Sequence, residues 1–156
     1  MKDEKEKFVL IVEAHFYDDI AEELARGATR VLDQAGVGYV RHAVPGVFEI
    51  PAAIRYAIRS MEFHSALKHF SGFITLGCVI RGETSHYDHI CRQSIRAIMD
   101  LTTDYCIALG NGVLTCETRE QAWERAAVDD RDKGGVAARA CLQMMKVKRD
   151  LRLISR

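Results

Sequence analysis

Gly72–Ile80 (GFITLGCVI) is an unbroken apolar run rich in β-branched residues, closed by the turn residues Arg81-Gly82. Its length and its lack of polar alternation predict a strand buried on both faces. Behind the turn, Thr84 to Asp104 carries apolar residues near helical spacing, with Ile90, Ile95, Ile98, Met99 and Leu101 as the predicted buried set. Strand, turn and helix in that order are half of a βαβ unit.

The same alternation extends in both directions. Upstream, Phe8–Val12 (FVLIV) predicts another strand buried on both faces. A helix follows from Asp18 to Ala35, with Ile20, Leu24, Val31 and Leu32 on its apolar side and Gly36 where a C-terminal stop belongs. Tyr39–Val44 (YVRHAV) predicts a strand, and Pro51 opens a helix that carries Ile54, Ala57, Ile58 and Met61 on one face. Downstream, Cys106–Leu109 and Val113–Thr115 predict a strand interrupted by Gly110-Asn111-Gly112 as a bulge or bend. Helices from Thr118 to about Ala127 and from Gly135 to about Leu151 finish the chain. The expected architecture is α/β: one domain over residues 1–156, a three-layer αβα sandwich on a four-stranded parallel sheet with right-handed crossovers. Residues 1–7 (MKDEKEK) form a charged N-terminal lead, expected to be flexible.

Composition removes several classes of function. Lys and Arg total 22 and so do Asp and Glu, so the basic surplus that nucleic-acid binding draws on is missing. A neutral chain also resists self-association weakly, which favours assembly. No apolar stretch is long enough to span a bilayer, and MKDEKEK carries no apolar h-region, so no targeting segment is expected. The five cysteines form no CxxC pair and read as reduced thiols of a cytoplasmic protein, most of them filling core space. His86 and His89 stand three apart, but no third ligand in a known pattern accompanies them, so no metal is expected.

In parallel sheets ligands bind beyond the carboxyl ends of the strands. There the sequence places Ala14-His15-Phe16-Tyr17, Pro45-Gly46-Val47-Phe48-Glu49 and Arg81-Gly82-Glu83-Thr84-Ser85-His86, with Asn111 inside the last strand. Gly82 and the helix start at Glu83, Thr84 and Ser85 suit an anion such as phosphate, or Thr84 is an ordinary N-cap. His86 serves as a general acid or base, or is a surface histidine. Phe16 and Phe48 stack on a planar heterocycle, or cap the core. Glu49, in extended backbone before Pro51, accepts hydrogen bonds from a ligand, or complements the helix dipole. Arg125 binds phosphate bidentately, or pairs with Glu124 or Asp129, and Lys133 carries the same two readings.

Together these segments resemble one family. Val44–Pro51 (VPGVFEIP) and Gly77–Asp88 (GCVIRGETSHYD), followed by Asn111–Thr115 (NGVLT), Glu120-Gln121-Ala122, Glu124-Arg125-Ala126 and Asp132-Lys133-Gly134, are similar to 6,7-dimethyl-8-ribityllumazine synthases in order and spacing. The likeness runs from about Phe8 to Leu151. It implies a flavodoxin-like fold and the condensation of 5-amino-6-(D-ribitylamino)uracil with 3,4-dihydroxy-2-butanone 4-phosphate, without a cofactor. On this resemblance Phe16 stacks on the pyrimidine, and Val47, Phe48, Glu49, Cys78, Val79 and Ile80 bind the pyrimidine and its ribityl chain. Glu83, Thr84, Arg125 and Lys133 surround the phosphate, and His86 transfers protons. Asn111 stands where many members carry an aromatic ring, and a different polar residue is common in place of His15. Those two departures motivate an alternative, a flavin or lumazine carrier with weak synthase activity. The resemblance also implies a homopentamer in which Asn111 and Arg125 face the neighbour's Phe16 and His86. The family's larger shells go with a glycine between the last two helices, and 127–132 holds none, which favours the free pentamer.

Overall fold

The computed structural model describes residues 8–64 and 69–153, and the lead at 1–7 lies outside the described residues. The elements in chain order are β1 (Phe8–Ala14), α1 (Asp18–Gln34), β2 (Gly38–Val44), a 3-10 turn (Val47–Glu49), α2 (Ile50–Phe63), β3 (Phe70–Ile80), α3 (His86–Asp104), β4 (Leu109–Cys116), α4 (Arg119–Ala126) and α5 (Lys133–Asp150). The strands pair in parallel in the order β2-β1-β3-β4. This is the expected four-stranded α/β sandwich.

Alternate residues of the central strands feed two cores. Val9, Ile11, Ile74 and Leu76 pack with Leu24 and Leu32 of α1 and Ala137 and Cys141 of α5. Leu10, Val12 and Phe73 pack with Ile50, Ile54 and Ile58 of α2 and Ile98 of α3. Both central strands are thus covered on each side, which is why they read as unbroken apolar runs. Each fully buried aliphatic side chain contributes about 1.5–3 kcal/mol. Helix α1 stops where expected, with Gly36 in the left-handed region at φ 65°.

Three predicted details are corrected. The fourth strand is continuous from Leu109 to Cys116, with Asn111 paired to Thr75, and Cys106 lies before it at φ 51°. The glycines that look like a break exist because α5 lies on them: a Cβ on Gly110 would stand 1.8 Å from the Ala137 carbonyl oxygen. Second, α3 buries only Ser94 and Ile98 fully, and Ile95 and Met99 are exposed. Helical spacing reveals an apolar stripe but not what covers it, and β4 is an edge strand whose α3-facing Asn111 and Thr115 are also exposed. Third, α3 starts at His86 rather than Thr84. Ser85 occupies the N-cap without a side-chain bond, and Thr84 Oγ1 accepts the His86 N–H at 3.3 Å.

The C-terminal helix is positioned by its own start. Asp132, at φ 44°, accepts the Gly135 N–H at 3.1 Å through Oδ1. Gly134 lies so close to α1 that a Cβ there would meet the Leu24 carbonyl oxygen at 1.9 Å.

Candidate functional site at the carboxyl ends of the strands

The loops after β1, β2 and β3 and the first turns of α3 enclose a cavity of about 570 Å³. Each wall follows from local structure. After β1, the His15 N–H donates to the Val44 carbonyl at 3.0 Å, so the β1–β2 ladder runs one residue further before Phe16 and Tyr17 turn out. After β2, Pro45-Gly46 leads into a single 3-10 turn in which the Glu49 N–H donates to the Gly46 carbonyl at 3.1 Å. That turn buries Val47 and leaves Phe48 outside. Gly77 makes room for it, because a Cβ there would lie 2.9 Å from a Val47 methyl carbon. Cys78, Val79 and Ile80 form the floor, and Gly82, Thr84, His86, Tyr87 and Ile90 the remaining side.

Phe16 and Phe48 are 71% and 66% exposed, and both line the cavity. The core-capping alternative for these rings is therefore not met. Two uncovered aromatic faces beside an apolar floor suit a flat heteroaromatic ligand. Glu49 also lines the cavity, but its backbone is helical (φ −87°, ψ −9°) rather than extended, because the 3-10 turn already begins the bend into α2. His86 is exposed at the first turn of α3. Behind it, Arg81 stacks 4.3 Å from the Tyr87 ring centroid, pairs with Glu117 at 2.7 Å and reaches Asp88 at 3.2 Å. These bonds fix the start of α3 against the end of β4.

The cavity thiol rests in its protonated form. Burial pushes the Cys78 thiol up to about 12, so it stays protonated at any physiological pH. Burial also raises its neighbour Cys116.

The structure thus brings together Phe16, Val47, Phe48, Glu49, Cys78, Val79, Ile80, Thr84 and His86. Four other predicted residues do not line the cavity of their own chain. Glu83 is exposed in the loop beside it. Asn111 sits in mid-strand, where its Oδ1 accepts from Thr75 Oγ1 at 2.8 Å and from the Val113 N–H at 3.2 Å. Arg125, on α4, donates to the Gln121 carbonyl at 3.1 Å and approaches Glu124 at 3.8 Å. Lys133 is exposed at the first position of α5. The strand-end rule placed Glu83 in the right loop but could not place the other three, because Asn111 is not at a strand end and the two cations sit on helices. Conversely, the sequence reading missed Tyr17, Tyr87 and Ile90 as lining residues. The last two were findable, since one turn of helix separates Ile90 from His86 and Tyr87.

Among the described residues one group has metal-ligand spacing: Glu13, His15 and Glu22 offer atoms within 4.8 Å of one another. A cation already occupies that place. Arg41 donates to both Glu13 oxygens, at 2.8 and 2.7 Å, and to Glu22 at 3.2 Å.

A model of the family described as 6,7-dimethyl-8-ribityllumazine synthase matches residues 6–149. The chain is 50% identical over 143 residues to the 6,7-dimethyl-8-ribityllumazine synthase of Afipia carboxidovorans, covering 92% of this chain and 86% of that one. It is 48% identical over 147 residues to the enzyme of that name from Paramagnetospirillum magneticum, covering 94% of this chain and 98% of that protein. With 6,7-dimethyl-8-ribityllumazine synthase 1 of Rhizobium meliloti it shares 50% identity over 143 residues, which is 92% of both chains. The matched span holds every wall of the cavity, and the chain belongs to the 6,7-dimethyl-8-ribityllumazine synthase family.

Proposed function

We propose that this protein is a transferase that condenses 5-amino-6-(D-ribitylamino)uracil with 3,4-dihydroxy-2-butanone 4-phosphate to 6,7-dimethyl-8-ribityllumazine, releasing phosphate and water, as the step before riboflavin. The observation that carries this reading is the meeting of Phe16, Phe48, Glu49, the Cys78–Ile80 floor and His86 around one cavity in a chain of this family. Each named relative is called a synthase, and no observation favours the carrier alternative.

The chemistry assigns work to these residues. Phe16 and Phe48 sandwich or flank the pyrimidine, and Glu49 accepts hydrogen bonds from its polar substituents. The amine attacks the ketone, the carbinolamine loses water to give an imine, and His86 moves the protons of both steps. Phosphate then departs, and its charge is met by Thr84 with the start of α3 and by the cations Arg125 and Lys133. Glu83, exposed in the loop beside the cavity, is the remaining residue that the resemblance puts at the phosphate. Ring closure by the ribityl-bearing nitrogen on the second carbonyl completes the product. Amines and carbonyls condense readily, so holding the two substrates together supplies much of the rate.

Asn111, Arg125 and Lys133 reach a cavity in this reading by belonging to a neighbouring subunit. The assembly is a cytoplasmic homopentamer, and each copy is a single domain. Support comes from the uncovered apolar residues Ile95 and Met99 on α3 and from the fact that the three residues do not line the cavity of their own chain. The five cysteines, all free thiols, fit a reducing compartment. Among the described residues no helix is long and apolar enough to cross a membrane.

The test is direct. Purified protein given both substrates at neutral pH is expected to yield the lumazine chromophore and free phosphate, and absence of both overturns the reading. Within it, Arg125→Ala should cost on the order of 100-fold in activity, more than His86→Ala, because charge at the leaving phosphate dominates. The reverse ranking would refute that division of labour. Sedimentation equilibrium at five times the 17.6 kDa chain mass checks the assembly.

A further inference from the structure

The most exposed ring of the cavity is held from outside it. Among the described residues the ring of Phe16 has one aromatic neighbour, Tyr17, edge-on at 5.0 Å. Packing therefore does not decide where this ring stands, and the backbone on either side of it does. On the far side, Tyr17 caps α1 without a side-chain bond, and Asp19 pairs with Arg119, whose guanidinium also faces the Tyr17 ring at 5.9 Å. On the near side stands His15. Its Nε2 lies 2.7 Å from Glu13 Oε1 and its Nδ1 lies 3.0 Å from Asp18 Oδ1. One side chain thus ties the end of β1 to the first residue of α1, across Phe16 and Tyr17.

Both partners are carboxylates, which accept and do not donate. A neutral imidazole has a single N–H, so two donated bonds require the doubly protonated ring. The two partners also differ in how firmly they are held. Glu13 is 3% exposed and carries two bonds from Arg41 of β2, while Asp18 is a surface residue. When the ring loses a proton, the Asp18 contact is the one that opens. Glu22 of α1 lies 3.9 Å from Nε2, and the Arg41 guanidinium, which shares Glu13 Oε1 with the ring at 2.7 Å, is the like charge that faces it.

We propose that His15 is a positioning residue that presents Phe16 to the pyrimidine while both ring nitrogens are protonated, and that its deprotonation loosens the Phe16 loop. This deepens the synthase reading of the cavity and rests on it. Burial opposes the charged ring, but the bonds to Glu13 and Asp18 outweigh it and raise the His15 pKa above the usual 6.5. The grip on the loop is therefore complete below 6.5 and is lost as pH rises through the higher folded value.

The experiment measures KM for the pyrimidine and kcat from pH 6 to 9 in the wild type, His15→Arg and His15→Gln. Arginine keeps a charge and several donors across this range, and glutamine has one donor group and no charge. The wild-type KM is expected to rise about two- to fivefold relative to His15→Arg as pH increases, the size of a partly exposed ion pair, with kcat following the same course in both. His15→Gln should show the high KM already at pH 6. Superposed KM profiles for wild type and His15→Arg, or a His15→Gln KM equal to wild type at pH 6, overturn the proposal. Failure of the synthase reading looks different, because no variant then makes lumazine at any pH. In that event NMR decides: a Phe16 amide shift that titrates together with the His15 ring supports the clamp, and a Phe16 amide that ignores His15 refutes it.

Discussion

The two faces of the sheet are built to different degrees of completion. On the α1/α5 face, glycines let helix meet strand and helix meet helix at the backbone, and Gly110, Gly112 and Gly134 leave no room for a further carbon. On the α2/α3 face, α3 sinks only two residues, its Ile95 and Met99 remain in contact with solvent, and Asn111 and Thr115 of the edge strand lie open. Polar groups differ in the same way. The closed face admits Glu13 at its margin with a full set of partners, whereas the open face holds Thr75 bonded to an exposed Asn111. One face is stabilised within the chain; the other has apolar area left for a second body.

The largest effect that would break this contrast is expected at Gly110. Gly110→Val places carbon where the Ala137 carbonyl already stands and should destabilise the chain by about 3 kcal/mol or more, read from urea unfolding. A wild-type midpoint in that variant would mean that the close contact is not a constraint. Next in size, Leu24→Ala on the closed face should cost about 2–5 kcal/mol. Met99→Ala, measured in dissociated protein, should stay within about 0.5 kcal/mol. Equal costs for the two would erase the difference between the faces. Met99→Glu sharpens it further by testing the proposed pentamer on this face: the chain should fold while sedimentation shows a monomer. The smallest effect concerns pH. Burial would raise the Glu13 carboxyl, but bonds from Arg41 and His15 outweigh it and hold it below its usual 4.5. Its contribution is present above 4.5 and fades as pH falls through the lower folded value. Wild type should therefore lose more stability on acidification than Glu13→Gln, measured by denaturation at pH 7 and pH 3.

The contrast also explains what was legible in the sequence. Phe8–Val12 and Gly72–Ile80 are covered on both sides by their own chain, and so their composition alone announced buried strands. The α3 stripe was legible as apolar but not as uncovered, because Ile95 and Met99 have the same period whichever body covers them. Gly110 and Gly112 looked like a bend, since a glycine demanded by a helix lying above is written with the same letter as one demanded by a turn. At the site, strand-end loops delivered Phe16, Val47 to Glu49 and His86 together, while Cys78 to Ile80 of β3 were reached only through the resemblance to a family. Arg125 and Lys133 drew notice by charge and spacing to a family, and neither spacing nor charge states on which chain's cavity a side chain acts.

The protonated thiol of Cys78 has a consequence for what the cavity can tolerate. A reaction that begins with a ketone and expels phosphate from a neighbouring carbon passes through strongly electrophilic carbon centres. A thiolate in the floor would capture them and end the turnover with the enzyme alkylated. Burying that sulfur makes the floor chemically quiet, so the amine nitrogens of the substrate are left as the effective nucleophiles in reach.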